Sequence, residues 1–263
     1  MLRSMYSGIS GMNNMQTKLD VIGNNIANVN TFGFKKGRAT FKDMINQQIA
    51  GASAPGAGLG GTNPMQVGLG SMLGSIDTIH TGGSLQNTNR ELDLGISGDG
   101  FFRVTDGEAI FYTRAGNFYF DEDGAIVTSG GLYVLDEDDE PIIVPENARS
   151  FSIGQTGVVN YVDVDGDLQE AGTISLAYFA NPEGLQKQGD NLYQVTPNSG
   201  AVNITTPGNE GTGVVVAGTL EMSNVDLSEE FTEMIVAQRA FQANTRIITT
   251  SDEILQELVN LKR

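Results

Sequence analysis

The residues able to do chemistry in this chain are one histidine, His80, and 32 Asp and Glu. There is no Cys and no Trp among the 263 residues. Without Cys there is no thiol nucleophile, disulfide framework, iron–sulfur cluster or Cys-type zinc site. A single imidazole excludes a multi-histidine metal centre and leaves one slot for a Ser-His-Asp arrangement. His80 lies in Asp77-Thr78-Ile79-His80-Thr81-Gly82-Gly83, with no G-x-S-x-G companion. It reads as a surface or edge-strand histidine. Paired carboxylates could hydrolyse glycosides, yet among so many acids some pair is always available. Asp163-Val164-Asp165-Gly166-Asp167 invites a calcium reading. An EF-hand loop needs glycine sixth and Glu twelfth. Here glycine is fourth and Ile174 is twelfth, so the stretch reads as a hairpin turn. Asp136-Glu137-Asp138-Asp139-Glu140 reads as an exposed acidic turn before Pro141. Gly56, Gly58 and Gly61 match G-x-G-x-x-G, but no strand pattern precedes them and no helix pattern follows. The expectation is no catalytic residue, no cofactor and no metal.

Charge is distributed unevenly. The net charge is −17. Residues 1–50 carry +4, residues 51–90 carry 0, and residues 91–170 carry −15. Residues 171–220 carry −2 and residues 221–263 carry −4. An acidic middle reads as a solvated surface, and the balance argues against nucleic acid as a partner, which needs a basic face. No run approaches ~18 apolar residues, so no membrane insertion is expected. The first dozen residues lack a continuous apolar core and do not read as a cleavable secretory signal. Cytosolic residence and export by a signal-independent route both fit.

The elements that must position these residues are helical at the ends and β in the middle, an α+β class. Leu2, Met5, Ile9, Met12, Leu19, Ile22, Ile26 and Val29 step along the first helix by threes, fours and one seven. That is the seam of a coiled coil, weakened by Gln16 and Gly23. Near the other end, Leu227, Met234, Phe241, Ile248 and Leu255 recur at sevens. Phe231 and Val259 support a second row, which Gln238, Thr245 and Asp252 interrupt. Ser228 with Glu229 and Glu230 is the expected helix start, and Lys262 and Arg263 suit its negative dipole end. Two such helices at opposite ends of a β chain suggest intermolecular bundling. Their opposite charges should set register, with Arg3, Lys18, Lys35 and Lys36 facing Glu229, Glu230, Glu233 and Glu257.

Between them, residues 44–75 are rich in glycine and small residues and read as a flexible connector. From 76 to 220 short apolar runs alternate with turns. Asp99-Gly100, Asp106-Gly107, Asp123-Gly124 and Asp165-Gly166 suit the positive φ of tight hairpins. This reads as a compact antiparallel β domain. The expected domains are an inner helical one (1–43 plus 221–263), the connector, and an outer β one (76–220).

Three blocks carry a family resemblance. The first is Leu19 to Lys35, with the pattern N-N-I-A-N-x-x-T-x-G-F-K: Asn24, Asn25, Ala27, Asn28, Thr31, Gly33, Phe34 and Lys35. The second is Leu92 to Phe102 followed by Tyr112 to Phe118. The third contains Ser223-Asn224-Val225 and then Gln238-Arg239-Ala240-Phe241. Together they resemble bacterial flagellar rod and hook proteins over essentially the whole chain. The tail from Ala240 to Leu261 is most similar to hook proteins, so a short hook subunit is expected, with a distal rod protein as the alternative. The short length gives no room for the extra outer domain of many hook proteins.

The resemblance implies a structural subunit and no enzyme. It implies terminal helices lining a central channel, an outer β domain, and stacking into a helical tube outside the cell membrane. The implied partners are further copies of the chain, adjacent rod and hook–filament junction proteins, a hook cap, and the flagellar type III export apparatus. Export without a cleaved signal is implied as well. In a hook, the glycine-rich connector would supply the compliance for bending. The rival classes are an acid-rich secreted carbohydrate enzyme and a monomeric adhesin.

Overall fold

The computed structural model describes residues 2–54, 60–145, 147–209 and 211–261. The side chain of Leu2, connector residues Gly56 and Gly58, and the terminal Lys262 and Arg263 lie outside the described residues. The chain divides into two units.

The first unit comprises Met1–Ala27, Gly37–Thr78 and Asp226–Arg263. Its helices are α1 (Leu2–Ala27) and α2 (Leu227–Leu261), packed antiparallel. Ser4 lies against Ser251, Gly8 against Ile248, Gly11 against Asn244, and Lys18 forms an ion pair with Glu233. Asp226 starts α2: its carboxylate accepts the Ser228 backbone N–H at 2.8 Å and that of Glu229 at 3.4 Å. The expected cap, Ser228, is instead one of the donors being capped. An aspartate satisfies two orphan N–H groups and also opposes the positive dipole end.

The seam differs from the expected one. Met234, Phe241, Ile248 and Leu255 do face inward, each half-buried. The second inward row is Glu230, Ala237, Asn244 and Ser251, one residue before the expected Phe231 row. Phe231 is 50% exposed and Val259 is 66% exposed. On α1, Ile22 is buried, Met5, Met12, Leu19 and Ile26 are half-buried, and Ile9 is exposed. The intramolecular contact therefore rests on small and polar residues, which let the helix backbones approach closely. Val29 lies beyond α1, which ends at Ala27 in a turn closed by the Thr31 N–H to the Asn28 carbonyl at 3.1 Å.

The described residues of 44–75 include paired strands. Strand Gly37–Asp43 pairs antiparallel with Ser71–Thr78 from Gly37↔Thr78 to Asp43↔Ser71, with an irregularity between Thr40 and Phe41. Strand Asn46–Ala50 pairs with Met65–Gly68. The Asn14 amide donates to Ser71 Oγ at 2.8 Å, fixing the base of this arm on α1.

The second unit comprises Asn28–Lys36 and Ile79–Val225. Its pairings are all antiparallel, and its largest sheet has nine strands. Strand Phe101–Thr105 shows why that sheet is covered on both faces. Side chains alternate across a strand, and here both sets are buried. Phe102 and Val104 join a core with Phe118, Ile126, Val134, Ile174 and Leu176. Phe101 joins Tyr112, Phe179 and Tyr193 in another. Each large apolar side chain so buried contributes about 1.5–3 kcal/mol. The four Asp-Gly glycines all have positive φ, and Asp163 to Asp167 closes the hairpin between Val158–Val162 and Leu168–Thr173.

The inward and outward rows of α2 respond differently to mutation. Ala237→Leu overpacks a side chain with no exposure and is expected to destabilise the monomer by about 1–3 kcal/mol. Phe231→Ala is expected to change it by less than about 0.5 kcal/mol. Urea unfolding of the monomer measures both, and equal costs would contradict this seam.

Candidate functional site

The three sequence blocks converge within the second unit on one carboxylate. Glu221 is fully buried, as are Lys35 and Arg114. The Lys35 ammonium lies 2.5 Å from Glu221 Oε1, and an Arg114 guanidinium nitrogen lies 3.2 Å from Oε2. Backbone groups add further hydrogen bonds. Lys35 also donates to the Thr81 carbonyl at 2.8 Å, and Arg114 to the Gly98 carbonyl at 2.9 Å. The Gly83 N–H donates to Glu221 Oε1 at 2.9 Å. A buried ion pair survives only with such supporting hydrogen bonds.

Local sequence delivers these groups. Gly33 has φ +68°, and a Cβ there would lie 2.6 Å from the Arg114 carbonyl carbon. Only glycine permits both the turn and this approach. Its N–H donates to the Glu221 carbonyl at 2.8 Å, so strand Thr219–Glu221 is held beside the turn. Phe34 is buried, with the Lys187 ammonium 5.1 Å above its ring. Asn224 accepts the Lys36 N–H at 2.8 Å and donates to the Ile79 carbonyl at 2.9 Å. Ser223 Oγ accepts the Val225 N–H at 3.3 Å. The Thr31 hydroxyl donates to the Asn28 side chain at 3.2 Å.

Asn25 does equivalent work in the first unit. Its amide exchanges two hydrogen bonds with the Gly37 backbone, each 2.9 Å, and donates to Glu230 at 3.2 Å. One buried side chain thus fixes the start of a strand and the start of α2. Asn24 and Ala27 lie on the exposed face of α1. Gln238 and Arg239 are exposed on α2, where Arg239 reaches Gln242 at 3.5 Å.

The expected charge register is met in part. Lys18–Glu233 forms, at 27% and 47% side-chain exposure. Such a pair contributes about 0.2–1 kcal/mol. Lys35 belongs instead to the buried Glu221 cluster of the second unit. Glu230 is buried on Asn25. Sequence spacing cannot show that Lys35 faces Glu221, because 186 residues separate them.

His80 is the clearest departure from expectation. Both ring nitrogens are buried with no partner among the described residues. The ring meets Phe101 and Tyr193 edge-on, with centroids 5.6 and 5.4 Å away. Burial, then the charges of Lys35, Arg114 and Lys187, hold its pKa down at about 4. Burial likewise lowers that of Lys35, against the pull of Glu221, and raises that of Tyr193. The surface reading fails because residues distant in sequence, Phe101 and Tyr193, pack around the ring.

Two outcomes follow. Glu221→Gln leaves two buried cations uncompensated and is expected to cost about 3–5 kcal/mol in urea unfolding. Lys35→Gln leaves Glu221 paired with Arg114 and should cost less; the reverse order would refute the arrangement. His80 has a folded pKa below its unfolded value, so the unfolded chain binds the proton first. Its stabilising contribution is complete above pH ~6.5 and is lost as pH falls through about 4. His80→Phe should therefore flatten the fall of Tm between pH 7 and 4 relative to the parent. Parallel profiles would count against a buried neutral imidazole.

Comparison with known proteins gives one family throughout. Residues 5–35 match the model described as "Flagella basal body rod protein". Residues 95–161 match the "Flagellar hook protein FlgE/F/G D1 domain", and residues 216–261 the "Flagellar basal body rod FlgEFG protein C-terminal". The chain is 61% identical to the flagellar basal-body rod protein FlgG of Bacillus subtilis over 264 aligned positions, covering all of both chains. It is 40% identical to FlgG of Borreliella burgdorferi, again over the full length of both. With the flagellar hook protein FlgE of the same organism it shares 33% identity, in an alignment of 441 positions covering both chains. The chain belongs to the family of bacterial flagellar rod and hook proteins.

Proposed function

We propose that this protein is a subunit of the distal rod, the stiff drive shaft of the flagellar basal body. The observation that carries this reading is the end-to-end match to FlgG at 61% identity. The hook relative needs 441 aligned positions, so it carries segments with no counterpart here. The hook-like tail that pointed the other way is a short stretch on a helix shared by both branches.

The geometry supports a shaft. A bending joint must shorten and lengthen each line of subunits once per turn, so it needs slack between elements. Here the described part of 44–75 is paired strand at both ends. The outer pair, Asn46–Ala50 with Met65–Gly68, exposes Ile49, Met65 and Val67, and Ile45 just before it is exposed too. An isolated two-stranded hairpin is marginal in water. Packed against a neighbouring copy, this arm gains stability and resists sliding. The α2 helix also keeps large apolar side chains unburied, among them Phe231, Ile235, Ile247, Ile254 and Leu258. Apolar surface on that scale marks an interface. A head-to-tail contact between identical subunits that does not close into a ring yields a helical filament. Adjacent rod and hook proteins then join its ends, and the subunits leave the cell through the flagellar export apparatus without a cleaved signal.

Electron microscopy of polymers of the full-length protein tests this. Straight tubes are expected from the parent chain. Replacing residues 46–68 by a short Gly-Ser link should give bent or fragmenting tubes. Smoothly curved tubes from the parent chain would return the hook reading. Phe231→Ser and Ile254→Ser should slow polymerisation at least tenfold in light scattering.

A further inference from the structure

Two surfaces of this chain lack the features that keep sheet edges apart. The first is strand Ser150–Ile153, the end strand of a three-stranded sheet with Val158–Val162 in its middle. Among the described residues it pairs with that neighbour alone. The Gly154 N–H donates to the Val158 carbonyl at 2.9 Å, and antiparallel ladder bonds alternate from there. Ser152 therefore turns its backbone groups inward, and Phe151 and Ile153 turn theirs outward. Natural sheet edges are blunted by charged side chains or prolines. Ser150-Phe151-Ser152-Ile153 holds neither.

Beside this edge lies a cavity of about 600 Å³. Phe120, Val144, Pro145, Ala148 and Phe151 form its apolar wall, where the rings of Phe120 and Phe151 meet edge-on at 5.0 Å. Phe120 belongs to Phe118–Phe120, an end strand of the nine-stranded sheet. The cavity thus sits where the ends of two sheets meet. Its charged groups are Glu91, Asp121, Glu122 and Arg149, all exposed, so its rim is net acidic.

The second surface is the outer pair of the arm, Asn46–Ala50 with Met65–Gly68, which pairs with no further strand among the described residues. Residues 44–76 contain no charged side chain. Gln47 lies opposite Val67, so alternation along the strands puts Ile45, Met65 and Val67 on one face. These three are 76%, 59% and 38% exposed.

We infer that strand Asn46–Ala50 of a second copy adds to the outer edge of Ser150–Ile153, with the apolar face of its arm over the cavity. This rests on the reading of the chain as a polymerising subunit, and it names what the arm packs against. The arm strand has five residues and the edge four, so the two match in length. Strand addition pairs the outward backbone groups of Phe151 and Ile153, and the apolar face meets Phe120 and Phe151. The acidic rim opposes an acidic segment. An uncharged arm enters beside it with no charge to strip of water. The two surfaces are different parts of the chain, so the contact is head-to-tail, and repeating it builds an open filament.

The chain has no Cys, so single cysteines mark each surface. Full-length Gln48→Cys and Ser152→Cys, both at exposed positions, are mixed in equal amounts, polymerised and treated with a short bismaleimide. Covalent dimers are expected in the tubes, at least tenfold above a mixture in which Ile110→Cys, exposed on another strand, replaces Ser152→Cys. Tubes without this excess overturn the contact and leave the shaft reading standing. A double variant, Gln48→Cys with Ser152→Cys, that cross-links within single dilute chains overturns it too, since the arm then covers its own edge. Should no tubes form, the shaft reading fails by itself and a synthetic peptide of residues 44–50 decides, titrated into the dilute full-length protein. Saturable shifts of the Phe151 and Ile153 amide signals then support the added strand, and their absence overturns it.

Discussion

The second unit depends on one buried carboxylate. Glu221 must meet two cations, and those cations come from residues 186 and 107 positions away in the chain. A charge taken out of water costs several kcal/mol unless it is paired and hydrogen-bonded. Misplacing any of the three segments would leave such a charge uncompensated. The cluster therefore acts chiefly against wrong packings. Apolar residues of the same volume could hold the core as firmly, but they would tolerate a slipped register. The rest of the local structure serves this requirement: the Gly33 turn, the Gly83 N–H, and the carbonyls of Thr81 and Gly98.

The helical unit faces a different constraint. Each helix has to satisfy its partner within the chain and still keep an apolar surface. It does so by dividing the residues by size. Ser4, Gly8, Gly11, Ala237, Asn244 and Ser251 take the internal seam, where small side chains allow close approach. Phe231, Ile235, Ile254 and Leu258 stay outside. A monomer with so much apolar surface on a long helix is poorly suited to life alone. Assembly is where the remaining hydrophobic contribution is realised.

These two constraints bear on the proposed role of a shaft. In such a shaft torque would pass through contacts between subunits, so each subunit would have to resist internal deformation. The buried cluster and the two-sided sheet resist deformation in the β unit. Asn25 does so in the helical unit, where its amide joins α1, strand Gly37–Asp43 and the first turn of α2. The paired strands at both ends of 44–75 replace slack chain with an arm of fixed register.

The amino-acid sequence by itself determined the helical ends, the β middle, the family blocks and the hairpins at Asp106-Gly107, Asp123-Gly124 and Asp165-Gly166, whereas Asp99-Gly100 joins two strands that pair elsewhere. Each of those is local: helical periodicity, turn stereochemistry and short motifs depend on residues within a few positions. It also placed Met234, Phe241, Ile248 and Leu255 on one helix face. Tertiary structure alone decided which row completes that face. Hydrophobicity pointed to Phe231, but close backbone approach favoured Ala237 and Asn244. It alone paired Lys35 with Glu221 in place of the acids of the terminal helix. It buried the ring nitrogens of His80, and it paired the strands Asn46–Ala50 and Met65–Gly68 on either side of the glycine-rich run. Those outcomes rest on contacts across long stretches of chain, where charge and size choose a partner that composition cannot name.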